Sequence, residues 1–73
     1  MILALEILKR ICMNYNVSIS DVLGKKQSED VVNARIEACA KLKQFGYSIQ
    51  EIGEILGKRS KKTILNLLKR STQ

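Results

Sequence analysis

The chain has 73 residues, 13 of them Lys or Arg against 7 Asp or Glu, and a net charge of +6; its length gives room for one small domain, expected to span residues 1–73. Histidine is absent and the two cysteines, Cys12 and Cys39, form no CxxC pair, which removes imidazole acid–base chemistry, a zinc ribbon and a thioredoxin-type site. The longest apolar run, Met1–Leu5, is far short of the roughly 20 residues that cross a bilayer, and no basic segment precedes it as in a signal peptide.

The lack of proline and the wealth of Leu, Ile, Lys and Glu favour helix throughout. Leu5, Leu8, Cys12 and Tyr15, widened by Ala4, Ile7 and Ile11, predict an amphipathic helix over residues 3–15. Ser18 with Asp21 three residues on predicts one or two capped turns, closed by Gly24 in the left-handed conformation. Residues 24–28 hold no large apolar side chain and read as a surface loop. Ser28 then caps a helix whose first turn carries Glu29 and Asp30. Its apolar arc, Val31, Ala34, Ala38, Leu42 and Phe45 with Val32, Ile36 and Cys39 beside it, is wide enough for the central helix, ending at Gly46. Both cysteines fall on apolar stripes and read as small buried hydrophobes.

Ser48-Ile49-Gln50-Glu51 has the form of a capping box, Ile49, Ile52, Ile55 and Leu56 give the stripe, and Gly57 the stop. A last helix starts at Ser60 and runs through Ile64, Leu65, Leu67 and Leu68 to Arg70. The expectation is therefore an all-α compact bundle of about five short helices. Its last two are joined by Gly57-Lys58-Arg59, a glycine-containing turn of the length used in a helix-turn-helix. Gly53, in mid-helix, costs about 1 kcal/mol against alanine and suggests a close crossing by another helix.

Charge placement points to the same end. Residues 57–73 carry six basic and no acidic side chains, whereas residues 1–56 carry seven of each. Lys61 and Lys62 fall in the first turn of the last helix, where the macrodipole disfavours cations by roughly 0.3–1 kcal/mol each. The other capped helices start with acidic residues. A rule broken at one helix end, within a single-sign patch, is what a surface for a polyanion requires.

The sequence resembles the C-terminal DNA-binding domain of the bacterial replication initiator DnaA, a helix-turn-helix domain of the tryptophan-repressor-like class, from about Ile7 to Arg70. Residues 17–26 look like that family's short second helix and basic loop. Residues 48–53 are similar to its Ser-Leu-Pro-Glu-Ile-Gly, and residues 57–65 lie where it has Gly-Gly-Arg-Asp-His-Thr-Thr-Val-Leu. The resemblance implies that Ser60, Lys61, Lys62 and Thr63 face bases or phosphates, that Arg59 sits at the DNA backbone and that Lys25 and Lys26 take the loop role. Ser60-Lys61-Lys62 in place of Asp-His-Thr implies a different preferred site. With Lys58, Lys69, Ser48 and Gln50 these make the expected DNA-facing set.

The expected function is thus a non-enzymatic, sequence-preferring binder of double-stranded DNA, a regulator of transcription or replication, without cofactor, small-molecule substrate or membrane association. A homodimer on a two-fold site suits so small a module. The expected setting is the cytoplasm, nucleoid-associated, in a bacterium or encoded by a phage. The competing reading is a helical interaction module whose basic end docks an acidic protein.

Overall fold

The computed structural model describes residues 3–71, which form five helices and no strand: α1 (Leu3–Tyr15), α2 (Ile19–Leu23), α3 (Glu29–Gln44), α4 (Ile49–Ile55) and α5 (Lys61–Ser71). The all-α expectation holds, with α3 as the hub: α1, α2, α4 and α5 all pack on it, and α4 and α5 pack on each other. The core runs from Leu8, Ile11 and Cys12 of α1 through Val31, Ala34, Ala38, Cys39 and Leu42 of α3 to Ile52, Leu56 and Ile64 at the other end. Alanines at 34 and 38 leave the α3 backbone close enough for helices to approach from several sides. Burying these side chains is the main source of stability in so short a chain.

Local signals explain most helix ends. Ser18 Oγ accepts from Asp21 N at 3.0 Å, and Ser48 with Glu51 forms the full capping box, Glu51 N donating to Ser48 Oγ at 3.1 Å and Ser48 N to Glu51 Oε1 at 2.8 Å. Elsewhere the structure departs from expectation. Ser28 stands at the cap of α3 but makes no side-chain cap bond, so the acidic first turn acts there without it. Phe45, expected on the apolar arc, lies at the C-cap of α3 and is 57% exposed; Leu5 is exposed too, leaving Ile7, Leu8, Ile11 and Cys12 as the α1 stripe.

Gly24 closes α2 in an extended conformation (φ −91°, ψ −154°), not the left-handed one. The reason is tertiary: the carbonyls at this end are taken by two arginines. Arg35, from the middle of α3 and only 3% exposed, donates Nε to Val22 O at 2.9 Å and Nη2 to the carbonyls of Asp21, Gly24 and Lys26 at 3.0–3.2 Å. Arg59, from the turn after α4, donates to the carbonyls of Leu23, Leu56 and Gly24. A helix end leaves its last carbonyls unpaired and carries partial negative charge, and these inward-turned guanidinium groups meet both needs.

Candidate nucleic-acid interface

The turn between α4 and α5 is built by two backbone approaches that only glycine allows. A Cβ at Gly53 would overlap the Arg59 carbonyl oxygen, and Arg59 N donates back to Gly53 O at 2.8 Å. The close partners of Gly53 are thus the turn's own backbone at Arg59 and the Ile64 side chain of α5, the helix that packs on α4. Gly57 has φ +86°, and a Cβ there would overlap Leu23 O at the end of α2. Lys58 follows with φ +61°, a left-handed conformation unusual for a side chain other than glycine, asparagine or aspartate. Two residues of positive φ in succession thus shape the turn, and helical bonding resumes where Ile64 N donates to Ser60 O at 3.1 Å. Ser60 Oγ accepts from Thr63 N at 3.3 Å and lies 3.0 Å from Thr63 Oγ1.

α5 is held by Ile64 and Leu67, both buried in the core. That fixes which face it turns outward. Lys61, Lys62 and Thr63 are exposed in its first turn, which holds no acidic residue, whereas α1, α2, α3 and α4 each carry one there. Lys69 and Arg70 are exposed in its last turn, so cations occupy both ends of the helix. Leu65, one of the four apolar residues of this helix, is 49% exposed, whereas Ile64 and Leu67 are buried and Leu68 is half-buried.

The remaining expected residues are distributed around this helix. Lys58 and Ser60 are exposed in the turn, and Ser48 and Gln50 are exposed at the start of α4, where the Ser48 hydroxyl is occupied as the cap. Lys25 and Lys26 are exposed in the α2–α3 loop; Lys26 Nζ lies 3.6 Å from Asp21 Oδ2, a surface pair that leaves both groups in water. The loop adjoins α5, since Gln27 shares a shallow cleft with Arg35, Arg59, Thr63, Asn66 and Arg70. Arg59 is half-buried and turned inward onto its three carbonyls, so its guanidinium fastens the α4–α5 turn to the end of α2.

Arg35 lies outside the expected functional residues, yet it ties the basic loop to the body through Lys26 O. Its signal in the sequence is a lone arginine inside an apolar arc, next to Ala34 and one turn from Val31 and Ala38. Burial, with Arg59 nearby, lowers its pKa from the ordinary value, as two cations sharing the Gly24 carbonyl require. No group of His, Cys, Asp and Glu that could hold a metal occurs among the described residues, and none of their helices is long and apolar enough to cross a membrane.

The geometry coincides with what comparison finds. The family model described as bacterial dnaA protein helix-turn-helix matches residues 5–70. No solved structure matches the chain.

Proposed function

Because the chain belongs to the bacterial DnaA helix-turn-helix family, a family of domains that bind double-stranded DNA, we propose that it recognises particular duplex sequences and regulates transcription or replication through them. The observation that carries this reading is the acid-free first turn of α5, which holds Lys61 and Lys62 exposed at a positive helix end. Those lysines cost stability in an isolated chain and gain it beside phosphates or guanine O6 and N7. α5 enters the major groove, which is about 12 Å wide and admits one helix. Ser60 and Thr63 lie at the groove edge, with Ser48 and Gln50 of α4 alongside, and Lys25, Lys26, Lys58 and Lys69 hold phosphates on either side. Arg59 supports the turn from within.

The experiment is selection of bound duplexes from a random pool, followed by titration of the enriched sequence. With about 4–7 phosphate contacts, log K falls against log salt with a slope of about −4 to −6. Lys61→Ala and Lys62→Ala weaken the enriched duplex more than a scrambled one. Enrichment of no sequence, or equal affinity for enriched and scrambled duplexes, removes the specific-binding reading; absence of duplex binding at physiological salt favours docking of the basic end on an acidic protein.

A further inference from the structure

α5 presents one continuous face to solvent, made of Lys61, Lys62, Leu65, Asn66 and Lys69 at i, i+1, i+4, i+5 and i+8, opposite the buried Ile64 and Leu67. The outward face of a core-packed helix is ordinarily polar. Leu65 breaks that pattern: it is 49% exposed, one turn after Lys61 and one turn before Lys69. A single exposed leucine is commonplace on protein surfaces. This one stands beside Asn66, on the face that carries the charge, and the combination has a chemical meaning.

In the major groove an A·T pair displays the thymine 5-methyl group and, on adenine, the N7 acceptor beside the N6–H donor. A leucine side chain can cover the methyl. An asparagine amide can donate to N7 while its carbonyl accepts from N6–H. A G·C pair offers no methyl, and it offers two adjacent acceptors, which suit lysine and not the asparagine pairing. The second turn of α5 thus carries the two groups that answer A·T, while the first turn carries lysines that suit guanine or phosphate. Four residues of helix advance about 6 Å, close to two base-pair steps.

We propose that Leu65 and Asn66 select A·T pairs about two steps from the base pairs faced by Lys61 and Lys62, Leu65 by covering a thymine methyl and Asn66 by pairing with an adenine edge. This rests on the duplex-binding reading above. It adds to that reading which bases the middle of the helix selects and which side chains select them.

The test uses the full chain and the duplex enriched from a random pool, with deoxyuridine replacing each thymine in turn. Burying one methyl group contributes about fourfold in affinity, so one replacement weakens the wild-type chain by about that factor. Leu65→Ala binds the thymine and uracil duplexes alike at that position, with its helical circular dichroism unchanged. Replacement of a neighbouring adenine by 7-deazaadenine, which lacks the N7 acceptor, weakens the wild type and leaves Asn66→Ala unaffected. If every thymine can be replaced without loss while the duplex is still selectively bound, or if the two variants keep the wild-type penalties, the assignment of Leu65 and Asn66 is overturned and duplex recognition stands. If no duplex is enriched at all, the duplex-binding reading falls first and this assignment with it.

Discussion

Arg35 Nε donates to the Val22 carbonyl at 2.9 Å, linking the middle of α3 to the last turn of α2 inside the protein. Its Nη2 reaches three more carbonyls, at Asp21, Gly24 and Lys26, so one buried side chain closes a helix and anchors the basic loop. Arg35→Met keeps the apolar stem and removes every donor. It leaves buried carbonyls unpaired, at a cost of about 1–3 kcal/mol for an unsatisfied group. Chemical denaturation monitored by circular dichroism is expected to show a loss of about 3 kcal/mol, a large part of the stability available to a chain this short. A midpoint within experimental error of wild type would contradict the closing role assigned to this guanidinium.

The α4–α5 turn gives two opposite expectations at adjacent residues. Gly57→Ala places a methyl group against Leu23 O at a positive φ and is expected to cost at least about 2 kcal/mol. Lys58→Gly relieves a left-handed lysine at φ +61°, and thermal melts should show a gain of about 0.5–1 kcal/mol, or several degrees in Tm. The same change removes a cation from the proposed interface, so the salt slope for duplex binding becomes shallower by about 1. Greater stability combined with weaker DNA binding marks a residue retained at the expense of the fold.

Ser48 and Glu51 close the start of α4 reciprocally, each side chain accepting from the other's backbone N–H. Ser48→Ala is expected to cost about 1 kcal/mol. Glu51→Ala should cost less, because Ser48 N faces water once released. In a double-mutant cycle the two losses should not add, since each side chain holds the other residue in cap geometry.

Stability is expected to fall on the alkaline side. Burial pushes the Cys39 thiol from its ordinary 9.0 up to about 12, against a partial downward pull from Arg59 and Arg35. Above pH 9 the unfolded chain loses this proton and the folded chain keeps it, so the unfolded state binds fewer protons. The free energy of unfolding then declines with pH by up to about 1.4 kcal/mol per unit, until the folded thiol itself ionises. Burial raises the Cys12 thiol too, and the hydrogen bond from Tyr15 Oη to Glu37 Oε1 at 2.8 Å raises the tyrosine, so both act in the same direction. Urea midpoints measured between pH 8 and 11 should decline, and Cys39→Ala should decline less steeply. At pH 8 a thiol reagent should label neither cysteine in the folded chain at an appreciable rate, since both are buried.

Much of this protein was determined by the sequence through local chemistry. The spacing of Leu8, Ile11 and Cys12, the capping box at Ser48, and the acid-free lysines at 61 and 62 act within one or two helical turns, so the five helices and the basic end can be read without coordinates. What joins distant segments could not be read in that way. Gly24 reads as a left-handed stop, because nothing local reveals that Arg35, eleven residues on, and Arg59, thirty-five residues on, take the carbonyls there. Arg59 itself reads as one more cation of the basic run until packing turns it inward. Leu65 and Leu67 are alike in composition, and only the seating of α5 on α3 and α4 buries one and exposes the other. Periodicity places an apolar residue on a helix, but which sector of that helix faces the core depends on the crossing of neighbouring helices. That crossing is fixed here by the backbone approaches at Gly53 and Gly57.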